Sequence, residues 1–136
     1  MADIHKGRCQ CGAVEYEFTV SSETIHACHC SECQKRSGSA FGLTMVVNRK
    51  NFTVTGQVST YVRAADSGQT NTSYFCQNCG NPIYGEVERL PNIIAIRPGT
   101  LDYTSWFKPE RHQWTDSAQS WFEFPEGCEV LPKSRW

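Results

Sequence analysis

The chain has 136 residues, of which 39% are hydrophobic, 12% aromatic and 20% charged, and its formal net charge is −1. This composition suits a single globular domain over residues 1–136 and excludes a disordered chain, which would carry fewer aromatic side chains. The small net charge argues weakly against a nucleic-acid partner, since proteins that bind nucleic acids usually carry an excess of basic residues.

No apolar run approaches the roughly 20 residues that a bilayer span requires. The first residues, MADIHKGRC, lack the apolar segment of a secretory signal. We therefore expect a cytoplasmic protein without membrane contact.

The apolar pattern predicts a mainly β fold with few short helical turns. The clearest strand is residues 13–20, AVEYEFTV, where apolar and polar side chains alternate. A turn follows at residues 21–23. Residues 31–37, SECQKRS, predict a short helix or turn with Ser31 as its N-cap. Residues 40–47, AFGLTMVV, form the second predicted strand.

The middle of the chain is typical of short strands separated by turns. After a polar turn at residues 48–51, two strands flank Gly56-Gln57 and predict a β-hairpin. Residues 66–69, DSGQ, mark another reversal. The hairpin strands are 52–55 and 58–63, later strands are predicted at 72–75, 82–88 and 93–97, and a helical turn is predicted at 115–121.

Seven of the eight cysteines fall in three tight groups. In a reducing compartment such clustering indicates metal binding or catalysis rather than a disulfide framework. The groups are Cys9-x-Cys11, Cys28-x-Cys30-x-x-Cys33 and Cys76-x-x-Cys79.

The outer two groups together supply four thiolates. Cys76 and Cys79 lie on a predicted tight turn ending in glycine, where both can face one cation. A structural zinc needs four tetrahedral ligands, so a second pair must come from elsewhere. Cys9 and Cys11 are the natural candidates, because their group also ends in glycine and precedes a strand. A redox CxxC would need a βαβ pattern, which this sequence lacks.

The middle group places three thiolates, Cys28, Cys30 and Cys33, within six residues. Three protein ligands and one open position are typical of a catalytic zinc. A fourth ligand could instead close the site, and the spacing alone leaves both arrangements open. The candidates for that ligand are His26, His29, His112 and Cys128.

Four blocks occur in a fixed order: GRCQCGAVEY at 7–16, CHCSECQKRSGSAFG at 28–42, FCQNCGNPIY at 75–84 and GTLD at 99–102. Together they resemble the glutathione-dependent formaldehyde-activating enzyme family, also called the GFA or centromere-protein-V family. The resemblance extends from about residue 7 to at least residue 121.

This resemblance implies the β-tent fold, which is similar to that of a zinc-containing accessory factor for Rab GTPases. It also implies two zinc ions per chain. A structural zinc would be held by Cys9, Cys11, Cys76 and Cys79. A catalytic zinc, labile enough to be lost on purification, would be held by Cys28, Cys30 and Cys33.

The activity implied is the condensation of glutathione with formaldehyde to S-hydroxymethylglutathione, a carbon–sulfur lyase reaction written in reverse that detoxifies formaldehyde. Zinc could activate either the thiol or the aldehyde, and the sequence does not separate the two. Lys35 and Arg36 could offset the thiolate charge, attract a glutathione carboxylate, or simply be solvated. The candidate substrate-binding residues near the site are Gln34, Lys35, Ser37 and Gly38.

The sequence departs from the family outside the cysteine blocks. Tyr103 stands where the family commonly has a second acidic residue, and His112-Gln113-Trp114 stands where it often has His-Ile before an aromatic residue. Thiols or aldehydes other than glutathione and formaldehyde are therefore open as substrates. The alternative function is a non-catalytic, zinc-stabilised binding module, suggested by the aromatic-rich last third of the chain.

Overall fold

The structure is a computed structural model and describes residues 3–20, 24–65 and 67–134. The predicted mainly β fold is confirmed, since these residues form eleven strands and one seven-residue α-helix. None of the described helices is long and apolar enough to cross a membrane. In chain order the elements are β1 (Asp3–Arg8), β2 (Glu15–Val20), β3 (Thr24–Cys28), α1 (Ser31–Ser37), β4 (Gly42–Asn48), β5 (Phe52–Thr55), β6 (Val58–Ala64), β7 (Thr70–Cys76), β8 (Pro82–Val87), β9 (Ile93–Ile96), β10 (Arg111–Gln113) and β11 (Glu129–Val130).

The described residues form two compact units. The first is drawn from Met1–Glu23 and Met45–Trp106, and the second from Thr24–Thr44 and Phe107–Trp136. Each unit is therefore built from two segments that are distant in sequence. That the whole chain is one domain stays a prediction.

The first unit contains two sets of antiparallel strands. One has the order β1-β2-β5, and the other runs from the end of β4 through β9, β8 and β7 to β6. The alternation predicted for β2 is confirmed, because Val14, Tyr16 and Phe18 are buried while Glu15 and Glu17 are exposed. Period-two alternation of this kind buries one face of a strand and leaves the other in water.

The hairpin predicted around Gly56 is wrong, although its two strands form where expected. β5 pairs with β2, whereas β6 pairs with β7. Gly56 has a φ of 105°, and a Cβ there would lie 2.3 Å from the Ala13 carbonyl oxygen. The glycine thus lets the chain pass close to Ala13 and change sheets instead of folding back on itself.

Local predictions elsewhere are mostly confirmed. α1 spans the predicted residues, but its N-cap is Cys30 rather than Ser31, and the Cys30 sulfur accepts a hydrogen bond from the Cys33 amide. The reversal predicted at 66–69 is closed by a 2.7 Å hydrogen bond from the Ala65 amide to the Gln69 carbonyl. The turn predicted at residues 21–23, and Asp66 itself, lie outside the described residues.

The second unit buries several polar side chains. β3 runs parallel to β10, which runs parallel to β11. Histidine, arginine and glutamine side chains of β3 and β10 are buried, namely His26, Arg111, His112 and Gln113. Strands with buried polar residues lack the apolar–polar alternation that predicts a strand, so β3 and β10 were not expected from the sequence.

The GTLD block anchors the strand that leads into the first cysteine group. Asp102 receives two hydrogen bonds from Arg8, at 2.9 Å from Nε and 3.0 Å from Nη2. This contact holds the pKa of the Asp102 carboxyl below its usual value. The Asp102 amide donates to the Lys6 carbonyl, and the hydroxyls of Tyr16 and Thr100 lie 2.7 Å apart. The block thus fixes β1 immediately before Cys9.

Gly7 allows the Tyr16 ring to lie against β1. A Cβ at Gly7 would lie 2.3 Å from the Tyr16 Cζ, so we expect Gly7→Ala to lower the free energy of unfolding. The loss should be about 1–3 kcal/mol, the usual cost of overpacking. Urea denaturation would measure it. Gly99→Ala is the matched control, because nothing lies within 4 Å of a Cβ there. Equal stability of the two variants would contradict this account.

Candidate metal centres

The outer cysteine groups meet in the first unit. The ligand atoms of Cys9, Cys11, Cys76 and Cys79 all lie within 4.8 Å of one another. The Cys11 sulfur is 3.6 Å from that of Cys9 and 3.7 Å from that of Cys76. Four sulfurs bound to one zinc at about 2.3 Å would be about 3.8 Å apart at tetrahedral angles. The four thiols therefore match a closed tetrahedral zinc site.

Two similar turns bring these sulfurs together. The Gly12 amide donates to the Cys9 carbonyl at 3.0 Å, and the Gly80 amide donates to the Cys76 carbonyl at 2.9 Å. Both glycines have a positive φ, 82° and 77°, which a residue with a side chain rarely adopts. Each turn folds the chain back so that its two cysteines face the same point.

N–H groups surround the same sulfurs. The Val14 amide donates to the Cys9 sulfur at 3.3 Å, and the Cys79 amide donates to the Cys76 sulfur at 3.4 Å. The Asn78 side chain donates to the Cys11 sulfur at 3.3 Å. Hydrogen bonds to the charged form favour thiolate over thiol. The Asn78 hydrogen bond lowers the pKa of the Cys11 thiol and so favours the ionised state in which cysteine binds a metal, whereas burial and the neighbouring Cys9 and Cys11 side chains raise the pKa of the Cys76 thiol to about 11.

The middle cysteine group lies in the second unit, where β3 ends and α1 begins. Its three sulfurs also lie within 4.8 Å of one another. Hydrogen bonds from Cys28 and Cys33 lower the pKa of the Cys30 thiol to about 2, whereas the same contacts raise the pKa of Cys28. Ionisation is thus favoured at Cys30 over Cys28 and Cys33, which hold their thiol protons more tightly. A metal cation would displace those protons and satisfy all three sulfurs.

The three-sulfur group has no fourth protein ligand among the described residues. None of the four candidates named from the sequence has a ligand atom within 4.8 Å of all three sulfurs: His26, His29, His112 and Cys128. The donor set is therefore three thiols, which suits a zinc with one position left for another ligand.

His29 is fully buried and points away from the sulfurs into an aromatic cage. Its Nε2 lies 2.9 Å from Nδ1 of His112, and the rings of Phe41, Phe122 and Phe124 have centroids 4.9–5.5 Å from its own. Burial lowers the pKa of both histidines, so the pair is neutral at pH 7. No local sequence pattern predicts this pairing, because the two histidines are distant in the chain.

The residues suggested as substrate contacts occupy α1 and its end. The Gln34 amide group donates to the carbonyls of His29, at 2.8 Å, and Ser117, at 3.1 Å. Ser37 donates to the Phe41 carbonyl at 3.1 Å. Gly38 is the left-handed C-cap, with a φ of 64°, and Lys35 is exposed. Gln34 and Ser37 thus hold the surroundings of the cysteines in place.

The His29–His112 hydrogen bond should stabilise the second unit. Nδ1 of His29 has no hydrogen-bond partner among the described residues, so the bond to His112 is the one side-chain hydrogen bond that adds to the aromatic packing of this ring. His112→Phe keeps an aromatic ring but removes the bond. We expect the free energy of unfolding to fall by about 1–3 kcal/mol, the cost of a buried unsatisfied polar group.

Thermal or urea unfolding would measure this loss. His5→Phe is the control, because His5 stacks on Trp106 at a centroid distance of 4.5 Å and Phe can keep that stacking. The control should change stability by less than about 0.5 kcal/mol. A His112→Phe protein as stable as the control would show that the hydrogen bond contributes nothing.

The chain is similar to proteins of one known family. A family model described as glutathione-dependent formaldehyde-activating enzyme matches residues 4–117. A Penicillium rubens protein provisionally given that name is 37% identical over 110 residues, which cover 77% of this chain and 57% of the relative. An Emericella nidulans protein with the same provisional name is 34% identical over 82 residues, which cover 59% of this chain and 41% of the relative.

The chain spans about half the length of these two curated relatives. A crystal structure of a Rhodobacter sphaeroides protein aligns with a TM-score of 0.59 at 21% identity, over 76% of this chain and 91% of that chain. At that identity the likeness shows a shared fold alone. The family match covers most of the residues, and the chain belongs to the glutathione-dependent formaldehyde-activating enzyme family.

Proposed function

We propose that this protein is a cytoplasmic, zinc-dependent carbon–sulfur lyase. Its reaction joins a thiol, glutathione or a similar one, to formaldehyde or a related small aldehyde. The observation that carries the proposal is the group of three sulfurs in the second unit, which has no fourth protein ligand among the described residues. Family membership supports glutathione and formaldehyde as the substrate pair.

The two cysteine groups have different proposed roles. Cys9, Cys11, Cys76 and Cys79 would hold a structural zinc, because four thiolates complete its coordination and leave no place for a substrate. Cys28, Cys30 and Cys33 would hold the catalytic zinc. We therefore expect two zinc ions per chain, of which the second binds less tightly.

The proposed chemistry is an addition without oxidation or reduction. Bound zinc would supply positive charge that favours an ionised thiol or polarises the aldehyde oxygen. The substrate sulfur forms a bond to the aldehyde carbon, and the thiol proton ends on the new hydroxyl group. The three cysteines would hold the zinc and would leave one of its four positions for a substrate atom. The proposed substrate contacts are Gln34, Lys35, Ser37 and Gly38 on or just after α1.

The alternative of a non-catalytic binding module depends on the aromatic residues in the last third of the chain. Two of them, Phe122 and Phe124, are half-buried and pack on His29 within the second unit. Trp121 remains 69% exposed. Packing thus explains part of the aromatic content of the last third of the chain. The three-cysteine group fits a catalytic role better than it fits a binding module.

Zinc content should separate the two centres. Wild-type protein purified with zinc should hold about two ions per chain, and Cys33→Ala about one with the fold retained, since only the three-ligand site is damaged. Elemental analysis and circular dichroism would measure both quantities. Cys79→Ala is the matched comparison and should lose fold stability with its zinc. Two ions retained in Cys33→Ala would mean that the ligand assignment is wrong.

Activity should depend on the middle cysteines. Zinc-loaded protein should accelerate exchange between free glutathione and its formaldehyde adduct, measured by NMR exchange spectroscopy with ¹³C-formaldehyde. Cys30→Ser should return the exchange rate to the uncatalysed value while the four-cysteine zinc remains. If the wild type accelerates the exchange for none of several thiols, the lyase proposal fails.

A further inference from the structure

Arg36 lies one helical turn after Cys33, on the same side of α1. Its Nη2 donates to the Cys33 sulfur at 3.3 Å. Residues three apart on a helix share a face, whereas the neighbouring Lys35 points about 100° away. The guanidinium therefore touches a proposed metal ligand directly.

Gly42 makes room for this contact. A Cβ at Gly42 would lie 3.3 Å from the Cys33 Cβ and 3.5 Å from the Arg36 Nη2. The first of these distances is tighter than ordinary van der Waals contact, so a side chain there would press on the group. Because Gly42 has no side chain, the Arg36 guanidinium can lie beside the Cys33 sulfur.

Arg36 has no acidic partner within the described part of the chain. The ion pairs found there use other cations, and the contact that the guanidinium makes is to a sulfur. A guanidinium has five N–H donors in a planar fork that matches a carboxylate. One of these donors is bonded to the Cys33 sulfur. Because Arg36 is exposed, its remaining N–H groups can bind an anion.

The charge of the site explains why a cation is needed there. Three thiolates around a divalent ion leave a net charge of about −1, and an ionised substrate thiol would bring it to about −2. A second negative group on the substrate would be repelled from such a site. A guanidinium beside Cys33 offsets that repulsion.

We propose that Arg36 is a specificity-determining residue that binds a carboxylate of the thiol substrate; this inference rests on the proposed function. The substrate class is thiols that carry a carboxylate near the sulfur. One residue of extended chain spans about 3.3–3.6 Å, which is similar to the 3.3 Å between the Arg36 Nη2 and the Cys33 sulfur, so a thiol substrate bound beside these sulfurs would bring a carboxylate one residue away close to the guanidinium. Glutathione belongs to this class, and neutral thiols do not.

The test compares glutathione with glutathione dimethyl ester, whose carboxyl groups are neutral. Dissociation constants are measured by calorimetry on zinc-loaded wild type, Arg36→Gln, Arg36→Lys and Arg89→Gln, with zinc content determined for each protein. Arg89→Gln is the matched control, because Arg89 is exposed in the first unit and its loss changes the net charge equally.

Arg36→Gln should weaken glutathione binding about 10- to 100-fold, the value of a charge-assisted hydrogen bond, without changing ester binding or zinc content. Arg36→Lys should recover part of the loss, and Arg89→Gln should bind as the wild type does. The inference is overturned if Arg36→Gln weakens acid and ester equally, if it loses zinc, or if wild type does not distinguish the two ligands. If wild type binds neither thiol, the proposed function fails together with this inference.

Discussion

The first unit depends on one constraint: the four sulfurs of its cysteine cluster must be held close together. Thiolates repel one another, so a cluster of four is stable only around a cation. Cys11 and Cys76 are 65 residues apart in the sequence, yet their sulfurs are 3.7 Å apart. A metal there would tie the turn before β2 to the turn after β7. The hydrogen bonds from Arg8 to Asp102 support the same cluster, because they hold β1 in place and β1 leads directly to Cys9.

The second unit places its cysteines by other means. Hydrogen bonds between polar groups position its residues: His29 is bonded to His112, and Gln34 donates to the carbonyls of His29 and Ser117. His29 lies between Cys28 and Cys30 in sequence, so turning its ring into the aromatic cage leaves the two cysteines facing the other way. The result is a group of three sulfurs that no fourth ligand from the described residues completes. The two centres thus differ in their number of cysteine ligands, four in the first unit and three in the second. This difference is the basis of the proposed structural and catalytic roles.

The sequence predicted those parts of the structure that local patterns determine. Spacing within a few residues predicts the alternation of β2 and the extent of α1. A metal's need for four ligands predicts the grouping of the outer cysteines. The strands β3 and β10 were missed because His26 and Arg111 are buried where the pattern expects apolar side chains. The hairpin at Gly56 was wrong because a contact with Ala13, distant in the chain, decides the path. Long-range polar contacts such as that between His29 and His112 leave no periodic signal.

The central claim is that one metal holds the fold and the other serves the chemistry. A chelator titration of the two-zinc protein tests it most directly, with zinc release and near-ultraviolet circular dichroism followed in the same sample. The account predicts two steps, because a three-ligand site releases its ion more readily than a closed four-cysteine site. The first zinc should leave with the tertiary signal intact, and the second should leave together with that signal. Release of both ions in one step, or loss of tertiary structure with the first ion, would contradict the account.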